Sequence, residues 1–337
     1  PVDHSVPGAL AYVVQCPSGR RVLYTGDLRF RGASTEITSR LRAWCAGLRP
    51  DVLITEGTRI VDGNGRTLSS SGDDEAGVES RITDIVRDCA GLVIVDFGWK
   101  DTARLRTIVA VAKSTGRTLV VNPKVAYLWA LLGKDDPNSY PDFESVGNLA
   151  VYLERLDSMT YSLADYSGSK HTVGVCLDWG EKNKDMRQAF LAHDNEYLRD
   201  RLCHYYSGIR AYDIAADPAR FIVHAGFFDM NELFDIAPPP GSVFISAMTE
   251  PFCDEMEIDQ RKLKNWLDYF GIDYGGDRIQ HYHVSGHANG QDLLDFIRSV
   301  EPKLVVPVHT EHPEAFVREL VGFDVHLPEY GRPFSCP

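Results

Sequence analysis

The chain of 337 residues exceeds what one hydrophobic core usually organises, so two domains are expected. Hydrophobic residues at 44% and charged residues at 25% are ordinary for a globular protein, and no run approaches the ~18–20 apolar residues of a membrane span. A net charge of −13 argues against a broadly basic nucleic-acid surface, though it leaves room for a local basic groove. Seven scattered cysteines, an odd number without close pairs, argue against a disulfide framework or cysteine-rich zinc module. They suit a reducing cytoplasm.

In chain order, residues 9–15 (ALAYVVQ) and 21–25 (RVLYT) are β-rich runs around the turn Cys16-Pro17-Ser18-Gly19, which predicts a hairpin. A helix is expected over about 35–46, then the apolar strand 51–55, with Glu56 just past it. Residues 60–80 read as a Gly/Ser/Asp-rich loop. An α/β rhythm follows: helix 77–89, strand 91–97, helix 101–115, strand 117–122 and helix 123–133. Continuous apolar strands between amphipathic helices imply a parallel sheet covered on both faces. Residues 134–215 are expected to be an irregular excursion with helical stretches near 185–206. Strands 220–225 and 241–247, helix 257–270, strand 279–284, helix 289–299, strand 303–308 and helix 312–321 complete the pattern.

Asp27, Glu56, His287 and His309 stand just beyond expected strand ends, where a sheet fixes residues that a loop exposes. With His4 they form an imidazole and carboxylate set of the kind zinc prefers. Taken singly, each has an ordinary alternative: Asp27 a turn residue after Gly26, Glu56 a solvated loop end, His287 and His283 structural or exposed histidines.

Their order in the chain is more informative. Val2-Asp3-His4-Ser5-Val6-Pro7-Gly8, Tyr24-Thr25-Gly26-Asp27, Thr55-Glu56-Gly57-Thr58, His283-Val284-Ser285-Gly286-His287 and Val306-Pro307-Val308-His309-Thr310-Glu311-His312-Pro313 resemble successive motifs of the β-CASP metallo-β-lactamase nucleases. The resemblance implies a partial αββα sandwich with an inserted α/β β-CASP domain. Residues 1–58 and 279–337 would form the metallo-β-lactamase part and 59–278 the insertion. It makes His4 a ligand of one zinc, Asp27 a bridging carboxylate and His309 a ligand of the second zinc. Glu56 and His287 would be an acid–base pair, and His283, Ser285 and Gly286 would bind substrate. Two zinc ions ~3.5–4 Å apart can lower the pKa of a water and clamp a phosphodiester. A histidine raised in pKa by a carboxylate can then protonate the leaving oxygen.

The family's His-x-His-x-Asp-His motif does not occur; the nearest stretch, His281-Tyr282-His283-Val284-Ser285-Gly286-His287, lacks the Asp. The chain is in motif sequence by residue 4 and reads as a fragment or trimmed product. Three ligands are then left for a site of about seven, so this chain alone is expected to be inactive, with an incomplete catalytic domain and an exposed apolar sheet face. The expected partner is RNA, or single-stranded DNA, with no membrane role and with room for a homo-oligomer. Arg29, Arg31 and Arg59 flank the site as candidate phosphate neutralisers. The alternatives are a catalytically silent partner subunit and a hydrolase of a small ester or thioester.

Overall fold

A computed structural model describes residues 1–32, 34–69, 74–153, 208–251 and 253–334. The chain divides into two compact units, residues 1–78 with 284–337, and residues 79–283. Residues 59–78 thus group with the first segment, whereas the sequence places that division after residue 58.

In the first unit, strands β1 (Tyr12–Gln15) and β2 (Arg21–Tyr24) form the expected hairpin. Gly19 closes it at φ +84°, its N–H donating to the Cys16 carbonyl at 2.9 Å. Helix α1 (Thr35–Cys45) leads to strand β3 (Val52–Glu56), so Glu56 is the last residue of its strand rather than the first beyond it. Its partner explains the difference: β3 pairs in parallel with a late strand, Leu304–Val308, as far as Glu56↔Val308. β2 and β3 are also parallel, so three neighbouring strands end at one edge.

Helices cover one face of this sheet. Leu23, Leu53 and Val305 pack on Cys45, Phe316 and a late helix, Gly290–Val300, which buries Leu293, Leu294, Phe296, Ile297 and Val300. Burying each large side chain contributes roughly 1.5–3 kcal/mol. The other face leaves Tyr12, Val14 and Tyr24 exposed at 53%, 53% and 43%.

The second unit opens with helix α2 (Glu75–Asp88), whose first turn lies in the first unit, and strand β4 (Val93–Asp96). Next come α3 (Thr102–Thr115), β5 (Thr118–Val121), α4 (Pro123–Asp135) and β6 (Leu149–Val151). Asp101 and Asn122 cap α3 and α4, each side chain accepting from a backbone N–H of the first turn, and Pro123 takes the first helical position, where its missing N–H costs nothing. After α5 (Ala211–Ala216) come β7 (Phe221–His224), α6 (Leu233–Ile236), β8 (Val243–Ser246) and α7 (Asp254–Phe270). The parallel order is β6-β5-β7-β4-β8. Ile94, Val120, Val223 and Phe244 meet α5, α6 and α7. Their alternate neighbours Val93, Val95, Leu119 and Ile222 are equally buried, so both faces are covered.

Two expectations need correction here. Strand 279–284 does not form: His281 makes a single bridge to Ser246. The short β8 edge is divided between Asp273 and His281, with a Gly275-Gly276 turn between them, so no continuous ladder builds. Among the described residues of 134–215 are β6 and α5; the helical stretches expected near 185–206 lie outside the described residues.

At the strand ends of this unit, Asp96 is pushed up to about 7 by burial and the charge of Asp229. His224 is buried, stacks on Phe97 at 4.0 Å and lies 3.0 Å through Nε2 from the Phe97 carbonyl; burial lowers its pKa.

Back in the first unit, the final elements are α8 (Gly290–Val300), β9 (Leu304–Val308), α9 (Glu314–Glu319) and β10 (Asp324–Val325). The sheet order is β1-β2-β3-β9-β10. No described helix is long and apolar enough to cross a membrane.

Candidate metal centre

The carboxyl ends of β2, β3 and β9 bring three side chains to one edge: Asp27 beyond β2, Glu56 at the end of β3, and His309 directly after β9. Parallel pairing makes this convergence automatic, because neighbouring parallel strands finish on the same side. Two loops add His4 and His287. All five predicted residues therefore meet, and their grouping is informative. Ligand atoms of His4, Asp27 and His287 lie within 4.8 Å of one another, as do those of Glu56, His287 and His309.

Glu56 organises the site. Only 1% exposed, it accepts from three backbone N–H groups: Thr58 at 3.0 Å, Ala288 at 3.3 Å and Leu28 at 3.5 Å. Its Oε2 also lies 3.2 Å from Nδ1 of His287. An ionised carboxylate accepts only, so Nδ1 carries the proton and Nε2 is left as the working nitrogen. Burial opposes charge on His287, but the Glu56 hydrogen bond and the charges of Glu56 and Asp27 outweigh it and raise the pKa.

His4 is held in the same manner, its Nδ1–H donating to the Gly286 carbonyl at 2.7 Å. A Cβ on Gly286 would come within 2.6 Å of Ser5 Oγ and 2.9 Å of the His4 ring, so glycine is required there for close approach. His4 and His287 meet edge to face at 5.1 Å between ring centres, and His287 meets His309 likewise at 5.3 Å.

His309 has φ +50°, an uncommon conformation for a residue with a side chain and one that concentrates at functional sites. Thr58, which the sequence did not single out, holds it by donating Oγ1 to the His309 carbonyl at 3.1 Å. The His309 ring faces Asp27, Nδ1 to Oδ1 at 3.1 Å.

The other predicted residues have different surroundings. Ser285 Oγ accepts from the His287 N–H at 3.1 Å and so caps its own turn. His283 belongs to the second unit, where Nδ1 lies 3.2 Å from the Ala247 carbonyl. Arg29 is not a surface phosphate neutraliser: it is 2% exposed and ion-paired with Asp3. Arg31 and Arg59 do line a cavity of about 150 Å³ together with Ser285, His287 and Asn289. Arg31 Nε lies 2.8 Å from Asp292 on its rim.

The donors suit zinc in kind, imidazole nitrogen and carboxylate oxygen. Two of the rings have their second nitrogen engaged by a carbonyl or carboxylate, which is the usual outer support of a ligating histidine.

A cluster of imidazole and carboxylate donors at parallel strand ends of an α/β scaffold is an arrangement able to hold a metal ion. Residues 277–328 match the RMMBL family, described as the Zn-dependent metallo-hydrolase RNA specificity domain. The whole chain is 23% identical over 362 aligned positions to ribonuclease J of Pyrococcus abyssi (strain GE5 / Orsay). A crystal structure of a protein of unknown function from Enterococcus faecalis V583 shares the fold, with a TM-score of 0.63 over 98% of this chain at 19% identity. The chain spans 65% of the length of the first relative and 62% of the second. These matches make the chain similar to the β-CASP, ribonuclease J-like branch of the metallo-β-lactamase fold.

Proposed function

We propose that the protein is a zinc-dependent hydrolase of RNA phosphodiester bonds whose reactive site includes the centre at the ends of β2, β3 and β9, with His4, Asp27 and His309 an incomplete ligand set in this chain alone. The observation that carries this reading is the Glu56–His287 pair, a buried carboxylate holding an imidazole at 3.2 Å beside the cluster of His4, Asp27 and His309.

In this reading His4, Asp27 and His309 hold metal. Zinc, when bound there, supplies Lewis acidity and positive charge at the scissile phosphate. Glu56 orients His287 and keeps Nδ1 protonated, so that Nε2–H faces the substrate and donates its proton to the departing 3′ oxygen. The raised pKa of His287 keeps this proton available near neutral pH. Arg31 and Arg59, on the cavity beside His287, offer charge to a flanking phosphate despite the chain's acidic balance. Gly286 and Ser285 shape the loop that brings this cavity against His287.

The test is cleavage of a 5′-labelled single-stranded RNA by the zinc-loaded full-length protein, compared with its His287→Ala variant and with an equivalent DNA. Zinc-dependent cleavage of RNA, absent in the variant, supports the reading. A full-length protein that binds zinc but cleaves no RNA would refute it and favour a silent partner role.

A further inference from the structure

Asp3 immediately precedes His4, and Arg29 stands two residues past Asp27. Their side chains form an ion pair shut away from solvent, Asp3 being 5% and Arg29 2% exposed. Arg29 Nε lies 3.2 Å from Asp3 Oδ2, and Nη2 lies 3.3 Å from Oδ1, a two-point contact that fixes direction as well as distance.

The backbone doubles this link. The Arg29 N–H donates to the Asp3 carbonyl at 2.9 Å, the Asp3 N–H lies 2.8 Å from Thr38 Oγ1, and the Ser34 N–H donates to Asp3 Oδ2 at 3.2 Å. Glu75 approaches Arg29 from the far side, Oε1 to Nη1 at 3.8 Å. Gly32 seats directly on the pair, where any Cβ would overlap both Arg29 and Asp3.

Burying two charges costs about what their attraction returns, so such a pair is weak as a source of stability. Its distinctive product is geometry, and here the joined segments carry His4 and Asp27. We infer that the Asp3–Arg29 pair is a positioning clamp that sets the His4 ring against Asp27 and the Gly286 carbonyl. Its purpose rests on the metal-centre reading above, while its geometric action is independent of that reading.

The clamp is tested on the full chain with a double variant, Asp3→Leu with Arg29→Met, which removes both charges while keeping bulk, and with Arg29→Lys, which keeps the charge but loses the fork. Thermal melting reports folding. Long-range 15N–1H spectra of the His4 ring report its Nδ1–H contact with Gly286, and competition with a chromophoric chelator reports affinity for zinc alone. In the folded double variant the His4 signals should move to those of a free imidazole, and zinc affinity should fall about ten-fold or more. Arg29→Lys should move both in the same direction by less.

A folded double variant with wild-type His4 signals and wild-type zinc affinity overturns the clamp. If the double variant fails to fold, Arg29→Lys decides, and unchanged His4 signals in it overturn the proposal. A wild-type protein that binds no zinc removes the metal-centre reading, and the His4 spectra then still decide the clamp.

Discussion

Oε2 of Glu56 lies 3.2 Å from Nδ1 of His287, joining the last residue of β3 to a loop more than two hundred residues later. The carboxylate is buried and the imidazole partly so, and the carboxylate raises the pKa of the imidazole. Glu56→Gln should therefore lower the His287 pKa, as read by NMR titration of the ring. In the RNA hydrolysis reading, the alkaline limb of the rate profile should move to lower pH with it. A His287 titration unchanged by Glu56→Gln would remove Glu56 as the orienting partner.

The same pair makes a stability prediction. The His287 pKa is raised on folding, so the folded state holds the proton more tightly than the unfolded chain. Its contribution is complete below the ordinary histidine value of about 6.5 and is lost as pH rises through the raised folded value. Denaturant melts of the metal-free protein should show this loss, and Glu56→Gln should flatten it.

His287 shares ligand distance with both triads, so its role must be separated from that of a ligand. His287→Ala should reduce cleavage on the order of 100-fold or more while leaving zinc content nearly intact. His309→Ala should reduce both. Equal loss of zinc in the two variants, measured by metal analysis after dialysis, would make His287 a ligand.

Asp96 carries a pKa raised to about 7 by burial and by Asp229, the opposite of a stabilised carboxylate. Its stabilising influence is present below the unfolded aspartate value and is lost as pH rises through about 7. Asp96→Asn should thus stabilise the second unit at pH 8, by roughly 1–2 kcal/mol, and should have little effect at pH 4. His224 runs the other way, since its lowered pKa costs stability as pH falls below the ordinary histidine value. Equal effects of Asp96→Asn at both pH values in urea melts would contradict the raised pKa.

Gly286→Ala places a methyl group against Ser5 and His4, where the neighbours are themselves fixed. The expected cost is about 1–3 kcal/mol of stability with loss of the His4 Nδ1–H contact. A variant of unchanged melting temperature and unchanged His4 signals would show that the loop yields freely.

Much of this was legible in the chain itself. The Cys16-Pro17-Ser18-Gly19 turn and the apolar runs of β3, β4 and β9 are signals that the local sequence carries. The motif blocks around His4, Asp27, Glu56, His287 and His309 named the residues that converge. Sequence reasoning failed where the outcome depended on partners distant in the chain. Strand 279–284 looked competent by pattern, yet the β8 edge had only single bridges to offer it. Arg29 looked like a surface cation, yet Asp3 and Gly32 enclose it.

Residue identity thus determined the chemistry available to this protein: imidazole and carboxylate donors, each placed near the end of an apolar segment. Only the tertiary structure decided which donor faces which, that Glu56 lies within its strand, and that Arg31 and Arg59 rather than Arg29 reach the cavity. The reason is physical. Turn closure and helix starts are driven by neighbours in sequence, whereas strand pairing, hydrogen-bond partners, burial and pKa depend on contacts between segments that sequence order alone does not bring together.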